Sequence, residues 1–172
     1  MTDPLLHLPG PGKARPLLDG LDHPEGVAWS PAEGAVYAGG EAGQIYRVCL
    51  KEPKAEVVAD VGGQVLGVTL DGAGRVLACA PGVSALTVVD DRGVHSVVST
   101  AEGRPVVTPN YAAFAPDGML YFTDAGTWEA NDGRVLAMAP DGVVFTFSSE
   151  LNRALPRSAW LGRSAGVAPV GT

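Results

Sequence analysis

The stretch GVAWSPAEGAVYAGGEAGQIYRV, residues 26–48, decides the fold because it returns twice. A second version, GVTLDGAGRVLACAPGVSALTVV, starts at Gly67, and a third, YAAFAPDGMLYFTDAGTWEANDGRVLAM, starts at Tyr111, so the starts lie 41 and 44 residues apart. The turn glycines Gly34, Gly74 and Gly118 keep the same spacing, and Gly43 and Gly133 each precede a similar run, QIYRV and RVLAM. Self-similarity at a fixed period of this length marks stacked supersecondary units and takes precedence over any local motif. Inside each unit, apolar runs of Val, Tyr, Phe and Leu are bounded by Gly, Asp and Pro, the pattern of short strands. The pattern predicts four strands per unit: 26–30, 35–38, 44–48 and 56–59; 66–70, 75–80, 86–89 and 94–99; 111–115, 119–123, 134–137 and 143–147.

Four strands every 40 to 45 residues is the repeat of a β-propeller blade, a four-stranded antiparallel meander packed face to face with its neighbours around a channel. Helix-pair repeats of similar period need amphipathic stretches of ten or more residues, and Gly or Pro interrupts almost every such window here. A β-sandwich accommodates the strands but does not predict the same turn residues at a fixed interval. The expected fold class is therefore all-β, with blades over 23–60, 63–100 and 108–148, a lead-in over 1–22 and an atypical tail over 153–172.

Composition agrees. At 172 residues the chain has room for one domain of roughly 150 residues. Hydrophobic residues make up 46%, so a packed core is expected, and the 23 Gly and 14 Pro residues break the chain into many short elements. The net charge of -7 repels phosphate and anionic headgroups, which excludes nucleic acid and membrane surfaces as expected partners. The opening MTDPLLHLPGPGKARP lacks the basic start and apolar run of a secretory signal, so a cytoplasmic location is expected. Cys49 and Cys79 lack metal-ligand spacing and read as reduced, half-buried thiols. No GxSxG, Walker-type loop, dinucleotide glycine fingerprint or HExxH motif occurs, which argues against serine hydrolases, nucleotide enzymes and zinc proteases.

The phrases HPEGVAWSP at 23–31, GQVLGVTLDGAGRVLAC at 63–79 and TPNYAAFAPDGMLYFTDAG at 108–126 resemble the gluconolactonase and senescence marker protein (regucalcin) family of six-bladed propellers, with the strictosidine synthase-like branch almost as close. The resemblance covers roughly residues 15–152 and implies a divalent cation in the channel, calcium above all, with zinc or manganese as alternatives. It implies Glu25 and Asn110 as metal ligands, and a small lactone or sugar acid as substrate. The repeats support this pair independently: Glu25 precedes Gly26 and Asn110 precedes Tyr111, so both occupy one position of their units, where the second unit has Leu66. Carboxylate and amide oxygens suit a hard cation, which takes six to eight of them in the case of calcium. Two further residues are candidates for proton transfer, His23 beside Glu25 and Asp124 in YFTDAG, the latter either pointing toward the channel or, equally, serving as a strand-ending turn residue. Trp29 is expected in the core between blades.

The later ligands implied by the resemblance would follow in a PNG-like phrase, whereas the sequence after Asn152 reads RALPRSAWLGRSAGVAPVGT. The composition shift reads either as a frame lost or a gene truncated near Asn152, leaving about three blades, or as a divergent C-terminus that docks as an extra strand or stays disordered. An uncovered blade face then favours self-association, since each repeat is stabilised by its neighbours. Three functions compete: a metal-dependent lactone or ester hydrolase, a strictosidine synthase-like or non-catalytic ligand-binding propeller, and an inactive fragment.

Overall fold

The computed structural model describes residues 15–127 and 129–149. Its first sheet contains β1 (Val27–Ser30), β2 (Ala35–Gly39), β3 (Gln44–Cys49) and β4 (Ala55–Asp60). The second contains β5 (Val68–Leu70), β6 (Val76–Ala80), β7 (Ala85–Asp90) and β8 (Gly93–Val98). A small hairpin, β9 (Thr100–Ala101) with β10 (Arg104–Pro105), leads to the third sheet of β11 (Pro109–Phe114), β12 (Leu120–Asp124), β13 (Arg134–Met138) and β14 (Val144–Ser148). Each large sheet is an antiparallel meander in chain order, so every expected strand has its counterpart in an incomplete propeller. The hairpin and, among the described residues, a 3-10 turn at Pro81–Val83 are additions that the sequence pattern did not announce.

Turn chemistry explains the strand ends. Gly34, Gly74 and Gly118 all have positive φ, at 61°, 81° and 85°, which a residue with a side chain adopts only at a cost. Before Gly74, the Asp71 carboxylate accepts the backbone N–H groups of Ala73 and Arg75, each at 2.9 Å. Asp117 and Asp141 cap their turns likewise, accepting from Met119 and Val143 at 3.1 Å.

The alternation of strand side chains divides the core in two. All five residues of β6, VLACA, are buried because both faces of the middle blade are covered. Val76, Ala78 and Ala80 point to the first blade and pack with Tyr37, Ile45, Val65 and Val68. Leu77 and Cys79 point to the third and pack with Leu86, Val88, Leu120, Phe122 and Leu136. Each fully buried large side chain contributes about 1.5–3 kcal/mol relative to exposure, so these two seams hold the blades together. The end blades also bear apolar residues on the surface, among them Val27 and Val57 of the first and Tyr111 and Phe147 of the third. Trp29 corrects the sequence expectation: it is 49% exposed. It shares a face with its cross-strand partner Val36, while the neighbouring Ala28–Tyr37 pair faces the second blade.

The cysteines differ. Cys79 is buried, and loss of hydration pushes its thiol up to about 12. Cys49 is half-buried, and the N–H groups of Glu52 and Lys51 hold its thiol below the ordinary value. Only Cys49 fits the half-buried description; Cys79 is fully enclosed.

The blades meet most closely at the starts of their inner strands. A Cβ on Gly26 would lie 2.5 Å from the Leu66 carbonyl oxygen, and one on Gly67 would lie 2.4 Å from that of Asn110. Both obstacles are backbone and cannot swing aside. Gly67→Ala is accordingly expected to cost about 2 kcal/mol or more, while Gly72→Ala, where a Cβ meets nothing within 4 Å, stays within about 0.5 kcal/mol. Urea unfolding of the two variants checks this, and equal midpoints would contradict it.

Candidate functional site

In a meander, the start of the first strand, the turn between the second and third, and the end of the fourth lie at one end of the blade. That end gathers residues 20–25, 40–43, 61–67, 81–84, 99–109, 125–127 and 129–133. Glu25 and Asn110 are both there and both exposed, and neither side chain has a hydrogen-bond partner among the described residues. The close approach of Gly26 to Leu66 and Gly67, and of Gly67 to Asn110 and Tyr111, sets the three equivalent positions side by side in blade order. Glu25 and Asn110 therefore flank Leu66 on the inner rim. Together they offer at most three oxygens, a carboxylate pair and one amide carbonyl, of the type a hard cation takes.

Asn110 owes its orientation to an interruption of the ladder. In β11 the pairing with β12 shifts register between Pro109 and Ala112, leaving Asn110 and Tyr111 outside the regular partnership. Such irregularities re-aim side chains. The Tyr111 N–H is taken instead by the Thr123 hydroxyl at 3.2 Å.

His23 belongs to a second group on this end. Its φ of 39° is in the left-handed region, and its Nδ1 lies 2.9 Å from Asp22 Oδ1 and 3.1 Å from Glu41 Oε2. Asp22 is anchored in turn: its Oδ2 accepts the Ala42 N–H at 2.9 Å, and its own N–H donates to the Tyr46 hydroxyl at 3.3 Å. The hydrogen bond to Asp22, with the negative charges of Glu41 and Asp22, raises the His23 pKa above its ordinary value. These three residues bring one ligand atom each within 4.8 Å of the others. The sequence motifs single out His23 but not Asp22 or Glu41. Their meeting depends on the turn after β2 folding back to the lead-in, for which the backbone bond from Glu41 N–H to Asp22 O at 3.2 Å is responsible.

Asp124 departs from expectation. Instead of facing the channel its side chain is 2% exposed and pairs with Arg134, equally buried, at 3.2 Å. Its oxygens also accept the N–H groups of Val107, Thr108 and Gly126. A carboxylate so enclosed has no free edge for a reacting group, so its role is architectural. Thr108 donates its hydroxyl to the Gly126 carbonyl at 2.9 Å. Asp132 accepts from the Thr127 N–H at 2.8 Å and tethers the loop that follows β12. Trp128, His7 and the tail over 153–172 lie outside the described residues.

Comparison with solved structures supports the architecture. A gluconolactonase from Xanthomonas campestris, described as important in glucose secondary metabolism, superposes with a TM-score of 0.69 at 24% identity, over 77% of this chain and 50% of that one. A second structure, provisionally described as a gluconolactonase, gives 0.69 at 25% identity, over 83% of this chain and 54% of that one. The chain has the fold of gluconolactonase propellers. It spans about half the length of both. A virginiamycin B lyase from Staphylococcus aureus shares the fold at 16% identity and a TM-score of 0.55. No protein-family model and no curated protein matches the chain by sequence. No helix among the described residues is long and apolar enough to cross a membrane.

The raised pKa of His23 has a direct test. Because the carboxylates favour the charged ring, protonation persists to higher pH than for an ordinary imidazole near 6.5. NMR titration is expected to place the His23 midpoint above that value, and Asp22→Asn to bring it down; an identical midpoint in the variant would contradict the assignment.

Proposed function

We propose that the protein is a lactone hydrolase of the gluconolactonase type, acting on a small lactone or sugar-acid ester with a divalent cation held at the channel end. The observation that carries the reading is the common rim position of Glu25 and Asn110, two exposed oxygen donors without a hydrogen-bond partner among the described residues, on either side of Leu66. The likeness to solved gluconolactonases supports the same reading.

The residues present fit such an ion in kind. Two donors that no internal hydrogen bond engages remain available, and their oxygens suit calcium, or manganese in its place. Zinc suits them less, since it is bound mostly through nitrogen and sulfur. When bound, the cation supplies Lewis-acid polarisation of a carbonyl and lowers the pKa of a coordinated water. Glu25 and Asn110 hold and orient the ion. His23 is the group for moving a proton on this end of the molecule, with Asp22 and Glu41 fixing the tautomer by occupying Nδ1. Since these carboxylates favour imidazolium, a role as general base develops above the pH at which a free histidine would act. The strictosidine synthase-like reading has no corresponding observation in its favour.

A ligand that binds only the folded state must raise its melting temperature. Calcium at a hundredfold over Kd is expected to raise it by roughly 5 °C or more, and Glu25→Ala to abolish the rise. Differential scanning calorimetry with calcium, manganese and chelator measures this. A transition indifferent to all three would sink the metal-dependent reading.

A further inference from the structure

The geometry points to Asp124 and Arg134 as a positioning pair that sets Asn110 on the rim, and this assignment rests on the proposed metal-holding role of Asn110. Regular strand pairing does not fix Asn110. The β11 ladder skips it and Tyr111, resuming at Ala112 with Phe122. The placement of the Asn110 backbone therefore rests on the Gly67 contact at its carbonyl, on the Pro109–Asp124 pairing just before it, and on the anchors on either side.

On the C-terminal side the anchor is small: the Thr123 hydroxyl accepts the Tyr111 N–H at 3.2 Å. On the N-terminal side it is a buried ionic knot. Asp124 Oδ1 accepts the Thr108 N–H at 2.8 Å and that of Val107 at 3.2 Å. Its Oδ2 takes Nε and Nη2 of Arg134, at 3.3 and 3.2 Å. The same Nη2 donates to the Pro105 carbonyl at 2.7 Å. The backbone bond from Ala125 N–H to Thr108 O at 2.8 Å and the Thr108 hydroxyl on Gly126 close the knot.

One carboxylate and one guanidinium thus clamp the connector 105–108 to the ends of β12 and β13 immediately before Asn110. Both side chains are 2% exposed, so neither touches a ligand in the channel. Their charges are paired with each other, and apart from Arg134 Nη1, which has no partner among the described residues, their remaining hydrogen bonds go to backbone, which converts a flexible connector into a fixed approach to the rim. Outer groups that orient a metal ligand commonly change affinity by 10- to 100-fold when altered.

The test uses the full chain and two readouts. Calcium titration calorimetry well below the melting temperature reads affinity, and amide hydrogen exchange at 107–111 reads placement without any metal. Asp124→Asn is expected to weaken calcium binding by about tenfold or more and to speed exchange at 107–111 by a similar factor, leaving the amides of β1 unchanged. Val76→Ala, in the seam between the first two blades, serves as the comparison: it lowers the melting temperature but leaves affinity and exchange at 107–111 near the parent values. If Asp124→Asn does not fold, Arg134→Lys and Thr123→Val replace it, the first loosening the clamp and the second freeing the Tyr111 N–H. If the parent binds no calcium, the functional reading falls, and the exchange data still decide whether the knot places Asn110. Unchanged exchange at 107–111 in the folded variants overturns the assignment, as does an affinity loss matched by Val76→Ala.

Discussion

The structure depends on the close backbone approach of successive inner strands at Gly26 and Gly67. At these two points one blade rests on the next through atoms that no rotamer change can move, with a carbonyl oxygen where a Cβ would stand. The apolar seams supply most of the attraction, but a seam of Leu, Val and Phe tolerates small slides. The glycine contacts do not, and they set the angular and axial relation of one inner strand to the next. Because Glu25 and Asn110 sit immediately before and immediately within the segments so fixed, their relation across the rim follows from these contacts.

The rim shows how polar groups divide between holding the fold and facing a ligand. Asp124 lies in the loop-rich end of the molecule yet is fully occupied by three backbone N–H groups and a guanidinium. Glu25 and Asn110, on the same end, are exposed and have no hydrogen-bond partner among the described residues. A buried charge survives only when paired and hydrogen-bonded, and the pair then acts on geometry. An exposed carboxylate beside a fixed strand start remains available to a cation. His23 stands between these cases: its ring is exposed, but two carboxylates hold one nitrogen and bias its charge.

Much of this was legible in the sequence, for definite reasons. The glycine-marked turns and the period-2 runs reported twelve strands in three sheets, since both signals are local. The shared repeat position of Glu25 and Asn110 was legible for the same reason. Trp29 was misplaced because alternation separates two faces without saying which face has a neighbour. The hairpin at Thr100–Ala101 and Arg104–Pro105 escaped notice because two-residue strands carry no alternation. The role of Asp124 was hidden because it depends on a cross-strand register, Asp124 opposite Arg134, and on a connector folding back over the sheet end. Asp22 and Glu41 were missed since 19 residues separate them and only the β2–β3 turn brings them together.

The central claim is that Glu25 and Asn110 share one cation. Crystals soaked in manganese and measured at the manganese absorption edge test it most directly, because the anomalous map locates the ion without assumption. The account predicts a peak within coordination distance of both the Glu25 carboxylate and the Asn110 amide oxygen. A peak at Asp22, His23 and Glu41 alone, or none on this rim in well-occupied crystals, would contradict it.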